Sequence, residues 1–336
     1  MASITDVARH AGVSPSIVSR LLNDDPTLRI RDETRDRILA AVDELDYAPN
    51  HAARALRRSH VGTLGLAVPD MHNPVYAAIL AGARPAAAEH GYVMVLTDVD
   101  GLASDTTTFR RLVRGGTIDG LMLQRDGSVA DRVVGRVASS RIPVAILNER
   151  VRPPASGVAV DDRRAADLAT RHLVELGHVD VAHLRVRGRN SRSRDRQAGW
   201  EDRLKAAGIV PRADLLGYGG ATPEAGYRGM SDLLALRRPP TAVFVGSVLA
   251  AVGALAAVRD SGRAVPDDVS VVGYHDTWFA EHAHPPLTVV RLPLADMGRQ
   301  AVRVLVDLIA GKPPQQLLIT EPAPELVLRS STAPPH

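Results

Sequence analysis

Residues 4–23 read "ITDVARHAGVSPSIVSRLLN", and the reading of this stretch decides what the front of the chain is. Thr5 is expected to be an N-cap, and Gly12 closes a first short helix. Ser14 then caps a second helix, with Pro15 at its first position, where the missing N–H costs nothing. Val18, Leu21 and Leu22 follow at i, i+3 and i+4 and form one apolar face, leaving Pro15, Ser16, Ser19, Arg20 and Asn23 on the other. Ile38, Ala41, Val42 and Leu45 predict a third helix. Two helices around a tight turn, with small polar residues and one arginine on the open face of the second, fit a DNA-reading helix-turn-helix. The plainer alternative is a three-helix bundle whose open face is only solvated. Total charge does not separate them, since residues 1–60 hold nine Arg against nine Asp plus Glu. Placement is more telling: Arg20 stands on the open face, and Arg54, Arg57 and Arg58 cluster near the end of the module.

From residue 61 the pattern changes. "VGTLGLAV", "YVMVLT", "DGLMLQ" and "PVAILN" are short apolar strands, separated by helical stretches such as "VYAAILAGARPAAAEHG" and "SDTTTFRRLVRGG". A second series follows, with "DLATRHLVELG", "VAHLRV", "RQAGWEDRLKAAG", "TAVFVGS", "VLAAVGALAAVRDSG" and "VSVVGYHD". Strands alternating with helices predict parallel α/β sheets, and the total is enough for two subdomains. Pro85 falls inside the first long helix, where it should kink the chain. With 45% hydrophobic and 24% charged residues, the 336-residue chain has an ordinary globular composition. Aromatics are only 3%, so Ala, Val, Leu and Ile must fill the core. The absence of cysteine excludes disulfides, thiol catalysis and Cys-ligated zinc. No secretory leader pattern and no long apolar span is present, so a cytoplasmic protein with no membrane partner is expected.

"ITDVARHAGVSPSIVSRLLN", followed by "ETRDRILAAVDELDYAPNHAARALRR", resembles the lactose/galactose repressor family of bacterial transcription regulators, and the similarity runs through almost the whole chain. It implies a small all-α helix-turn-helix head at 1–49, a hinge helix and linker at 50–60, and a periplasmic-binding-protein-like effector and dimerisation domain at 61–336. The first subdomain would take about 61–160 and 290–321, the second about 161–289 and 322–330. The resemblance places Pro15, Ser16 and Arg20 at base edges, where Arg20 suits a bidentate guanine contact. Ser14, Ser19, Asn23, Tyr47 and Asn50 become phosphate-contacting or docking positions, and Thr5 joins the DNA-facing set. Ala53 and Leu56 lie on one face of the hinge helix, with Leu56 as the minor-groove wedge. Leu56→Ala is therefore expected to abolish specific operator binding while sparing effector binding, as a fluorescence-anisotropy assay would read. Two departures stand out: "NDDPTLRIRDETR" is two residues longer than the common pattern, and Arg31 replaces the usual Ser cap of helix three.

In open α/β sheets ligands sit at the carboxyl ends of the strands. Those ends carry Asp70, His72 and Asn73, then Gln124 and Arg125, Asn148 and Glu149, Asn190 to Arg196, Ser247, and His275 with Asp276. The resemblance adds Val75, Tyr76, Asn148, Arg196, Ser247 and His275 as effector-contacting positions, with Trp278 stacking on an apolar or sugar face. Asn148, Ser247 and His275 depart from sugar-binding relatives, which carry Asp, Asn and Asp there. An acidic effector held by a protonated His275 and Arg196 is one expectation from that loss of carboxylates. His282 and His284 near His275 raise the question of zinc, although loop histidines are more often simply solvated, and no metal or cofactor is assigned. No dinucleotide fingerprint, phosphate loop or nucleophile elbow is present, so enzymatic activity is not expected. The expected protein is a homodimeric repressor whose affinity for pseudo-palindromic operator DNA is set by a small sugar or sugar-derived effector. "RSSTAPPH" carries no heptad repeat, so no tetramerising helix is expected.

Overall fold

The computed structural model describes residues 2–22, 25, 27–47, 60–125, 127–138, 140, 142–186 and 190–336. Asn23, Asn50, Ala53, Leu56 and the expected hinge helix lie outside the described residues. Residues 1–62 and 63–336 form two separate units.

Among its described residues the first unit holds three helices, α1 (Ile4–Ala11), α2 (Pro15–Leu21) and α3 (Asp32–Glu44). Val7, Ala8, Ala11, Val18, Leu21, Ile38 and Ala41 form its buried core, with Leu22, Val42, Leu45 and Tyr47 packed against it. Gly12 ends α1 at φ 66°, a left-handed turn that glycine adopts without strain. The N-cap of α1 is Ser3 rather than Thr5. The Ser3 hydroxyl accepts from the Asp6 N–H, and the Asp6 carboxylate accepts in return from the Ser3 N–H at 2.9 Å. This reciprocal box leaves Thr5 as an exposed residue of the first turn. Helix α3 starts after Arg31, whose side chain makes no cap bond; Asp32 and Glu33 instead place negative charge in the first turn.

The second unit contains two six-stranded sheets. The first is entirely parallel, with β1 (Thr63–Val68), β2 (Val93–Asp98), β3 (Gly120–Gln124), β4 (Val144–Leu147), β5 (Ser156–Val160) and β11 (Gln316–Ile319) in the order β11-β5-β4-β3-β1-β2. The second holds β6 (Val181–Arg185), β7 (Leu216–Tyr218), β8 (Ala242–Val245), β9 (Ser270–Tyr274), β10 (Thr288–Arg291) and β12 (Glu325–Val327) in the order β12-β10-β9-β8-β6-β7. Its strands are parallel except for β12, which runs antiparallel to β10. The two orders are the same pattern used twice. Strand β10 pairs with β9 through Val290↔Tyr274, so Val290 and Arg291 belong to the second lobe. The chain returns to the first lobe after them.

Helices cover the sheets: α4 (Pro74–Glu89), α5 (Val99–Ser104), α6 (Thr106–Phe109) and α7 (Gly127–Ala138) in the first lobe, and α8 (Asp162–Glu175), α9 (Ser191–Ala206), α10 (Pro223–Leu234), α11 (Val248–Asp260) and α12 (Trp278–His282) in the second. Helix α13 (Leu294–Ile309) crosses back and packs beside α4. Pro85 sits inside α4 without ending it. Its ring and the Ala81 carbonyl it deprives of a partner are both on the exposed side, where water can replace the lost bond. The helix expected over 104–116 is instead α6 continued by a π-type turn at Arg110–Arg114 that buries Phe109 and Val113. No helix among the described residues is long and apolar enough to cross a membrane.

Candidate functional site

The carboxyl ends of both sheets face one cavity, with about 570 Å³ of empty space counting its open mouth. From the first lobe it is lined by Asn73, Val75, Tyr76, Gln124 and Asn148. From the second come Val186, Asn190, Arg192, Ser193, Arg196, Ala221, Gly246, Ser247 and His275. Val75, Tyr76, Asn148, Arg196, Ser247 and His275, six of the seven positions that the resemblance assigns to the effector, are thus brought together with Asn73 and Gln124, while Asp70, His72, Arg125, Glu149 and Asp276 of the strand ends lie outside the lining. The seventh is Trp278. It opens the short helix α12, is 73% exposed, and packs its ring edge-on against Phe279 at 5.6 Å. Three residues beyond the end of the strand turn, its side chain faces solvent and leaves the cavity wall to His275.

The local backbone explains how polar side chains reach this wall. Asn73 and Asn190 are the N-caps of α4 and α9, accepting from Val75 N–H at 3.1 Å and Ser193 N–H at 2.9 Å. Asn148 and His275, the first residues after β4 and β9, are both left-handed, at φ 50° and 78°. Their amides donate outward to Val158 at 2.7 Å and Val290 at 2.9 Å. For His275 this conformation is strained, and strain of this kind gathers at ligand sites.

Arg196 is buried and already balanced. Its Nε donates to Asp162 Oδ1 at 2.7 Å, its Nη1 donates to the Gly246 carbonyl at 2.7 Å, and its guanidinium lies 3.9 Å over the Tyr274 ring. The Tyr274 hydroxyl donates to the same Asp162 oxygen at 2.7 Å. Burial, reinforced by Asp162, pushes the Tyr274 phenol well above its ordinary range, so it remains a donor. Burial, with the charges of Arg196 and Arg192 adding to it, holds His275 well below the usual histidine range. The imidazole is therefore neutral. This corrects the expectation of a protonated His275 sharing an anion with Arg196, because the guanidinium charge is answered by Asp162.

Gln124 Oε1, Asn148 Oδ1 and His275 Nε2 are buried without a hydrogen-bond partner. All three belong to cavity-lining residues, and unmet buried polar atoms of this kind are costly unless a ligand or water fills them. At the rim the lobes touch directly. Arg150 N–H donates to Ser191 Oγ at 2.9 Å, Arg150 Nη2 to Asp195 at 2.6 Å, and Arg192 Nη2 to the Arg125 carbonyl at 3.0 Å. Arg125 lies 3.6 Å from Glu149, an ion pair too long to be a hydrogen bond. Asp276 faces away from any metal role, held by Arg291 at 2.7 Å and Arg329 at 2.8 Å. Asp162 is the residue that sequence reasoning missed; its signal was an acidic pair, Asp161 and Asp162, directly after an apolar strand.

In the head, Thr5, Ser14, Pro15 and Ser16 are exposed, while Ser19 and Arg20 are partly buried. Ser14 occupies the N-cap position of α2 but its side chain makes no cap bond, and Pro15 is the first helical residue. Tyr47 packs against the head core.

A helix-turn-helix and a two-lobed cavity at paired strand ends, in one chain, define a protein that joins a DNA-reading module to a periplasmic-binding-protein-like domain. Residues 3–50 match the bacterial regulatory proteins of the lacI family, and residues 170–332 match the periplasmic binding protein-like domain. The transcriptional repressor PurR of Erwinia tasmaniensis is 33% identical over 99% of this chain and 97% of its own length. The transcriptional regulator DegA of Bacillus subtilis is 32% identical over 99% of this chain and 98% of its own. Among solved structures, the lac repressor dimer bound to operator and the anti-inducer ONPF aligns with a TM-score of 0.80 and 29% identity over 99% of each chain. The chain belongs to the lacI family and is a transcriptional regulator with a DNA-binding helix-turn-helix.

Proposed function

We propose that the protein is a homodimeric repressor whose operator affinity is set by a small, neutral, hydroxyl-rich effector, a sugar or sugar-derived metabolite, bound between the two lobes. The observation that carries this reading is the set of unpartnered buried atoms on Gln124, Asn148 and His275 around one cavity. A neutral imidazole and two amides offer both donors and acceptors but no net charge. Arg196, the one buried arginine among the described residues, can direct a remaining N–H to a hydroxyl while Asp162 keeps its charge answered. An effector touching both lobes shifts their relative placement, which competes with or reinforces the Arg150–Asp195 and Arg192–Arg125 bridges. Two heads then read half-sites about one helical turn apart. Coupling between two such sites is typically about 1–3 kcal/mol and is reciprocal.

Isothermal titration against neutral sugars, sugar acids and sugar phosphates, with and without operator DNA, tests the reading. A neutral polyol should bind, and its affinity should change about 5–150-fold when DNA is present. Asn148→Gly, which removes the amide but keeps the left-handed backbone unstrained, should remove that binding while leaving the fold intact. Exclusive binding of an anionic metabolite rejects the neutral class, and an effector affinity indifferent to DNA rejects the coupling.

A further inference from the structure

The loop after α2, two residues longer than the pattern this chain otherwise follows, does something to the recognition face. Asp25 turns back on the helix, and its Oδ2 accepts from Arg20 Nε at 2.7 Å. Thr27 completes the arrangement. Its hydroxyl donates to Asp25 Oδ1 at 2.7 Å and accepts from Arg20 Nη2 at 2.9 Å, while its N–H donates to Asp25 Oδ1 at 2.8 Å. The loop backbone is itself fastened. Asp25 N–H donates to the Arg20 carbonyl at 3.1 Å, Leu28 N–H donates to the Asp25 carbonyl at 3.0 Å, and Leu28 packs against the head core. With the Thr27 hydroxyl and Arg20 as donors, the Asp25 carboxyl is lowered to about 2 and stays ionised.

A guanidinium has five N–H donors. Asp25 and Thr27 engage one on Nε and one on Nη2. What remains is the outer fork, Nη1 and the second Nη2 hydrogen, which is the edge suited to guanine O6 and N7. An arginine whose inner edge is already fixed has less side-chain freedom to lose when it docks.

We propose that Asp25, assisted by Thr27, is a positioning residue for Arg20: a loop carboxylate that aims the arginine fork and so sets the base pair that α2 accepts. The proposal rests on the reading of α2 as the base-contacting helix.

The test is selection of bound DNA from a random pool by full-length wild type, Asp25→Ala, Thr27→Val, Arg20→Ala and the Arg20→Ala/Asp25→Ala double variant. Asp25→Ala should cut the preference for guanine at one position per half-site by about tenfold and leave other positions unchanged. Thr27→Val should do the same to a smaller degree, and it keeps the question open to measurement should Asp25→Ala unfold the head. In the Arg20→Ala background Asp25→Ala should add nothing. Loss spread evenly over all positions, an undiminished effect without Arg20, or tighter binding with selectivity intact would each overturn the proposal. The last outcome would make Asp25 a competitor of DNA for Arg20. A wild-type pool with no preferred base at any position would remove the base-reading role of α2, and this proposal with it.

Discussion

In the first lobe Ile79, Leu147 and Leu294 stand where Arg196, Tyr274 and Asp162 stand in the second. Ile79 and Arg196 are both the sixth residue of the helix after the first strand. Leu147 and Tyr274 both end the fourth strand. Leu294 and Asp162 both open the helix that packs alongside. The frames around these triads match as well. A Cβ on Gly82 would overlap the Ala295 carbonyl oxygen, and one on Gly199 would overlap that of Arg163, so each helix pair meets backbone to backbone at a matching glycine, with Gly298 against the Ile79 carbonyl as a second such contact in the first pair. The first triad lies in the apolar core. The second is an ion pair with a phenol. Because buried ion pairs seldom stabilise more than apolar groups of the same volume, the comparison teaches that the fold does not need charge in this layer. The cavity side of the second lobe does.

The largest effect expected from breaking this comparison is at Arg196. Arg196→Ala leaves Asp162 buried without its cation and should cost about 3–5 kcal/mol in chemical denaturation. The triple change Arg196→Ile, Asp162→Leu, Tyr274→Leu, which copies the first lobe, should restore most of that loss but not ligand binding. A single variant within 1 kcal/mol of wild type would show that the triad is not a buried ionic unit.

Mild acid gives the next effect, and its histidine part should fall on the second lobe. His172, His178, His183 and His275 are all there, and burial lowers each of them. His72 and His90 of the first lobe are exposed. A histidine held neutral in the fold binds its proton only on unfolding. Its contribution is therefore complete above pH 6.5 and is lost as pH falls toward the folded value. For His183, lowered from 6.5 to about 4, the loss reaches about 3 kcal/mol. His183 stacks on Phe244 at 4.6 Å, and its centroid lies 6.1 Å from that of Trp200. Both tryptophans are in this lobe, so their fluorescence reports on it. His183→Phe should flatten the pH dependence of the fluorescence-detected midpoint between pH 6.5 and 4, and an unchanged slope would rule out His183 as its source.

The smallest effect tests the shared frame. Gly82→Ala and Gly199→Ala should each cost about 1–3 kcal/mol by forcing a helix pair apart. Thermal melts in which only one of them destabilises would mean the two lobes are less alike than their topology.

Much of this plan was legible in the residue pattern, and the gaps have physical causes. Alternation marked β1, β3, β4, β6, β8 and β9, because each is a buried apolar run. Strand β5, "SGVAV", is less legible because it opens on Ser156 and Gly157, a polar residue and a glycine buried at the sheet end. Without β5 there was no strand end to expose Asp162 as a site residue. Strand β7 has only three residues, and β10 "TVVR" and β11 "QLLI" mix polar with apolar residues, so no apolar run marks them. The Ser3 cap is hard to read from sequence because its box closes with Asp6 in place of the more usual Glu or Gln. Trp278 was misplaced because residue type says that an aromatic could stack on a ligand, but not which way the chain turns after His275.

The chain passes between lobes after β5, after β10 and again between β11 and β12. As a polypeptide leaving the ribosome, neither lobe can finish early. The first sheet lacks its outer strand until Gln316–Ile319 emerges, and the second until Glu325–Val327 follows. Both late strands lie at sheet edges, where they can be added without threading through structure already formed. The three-helix head has no such debt to later sequence. During synthesis, a DNA-reading module is therefore complete well before the part of the molecule that would govern it.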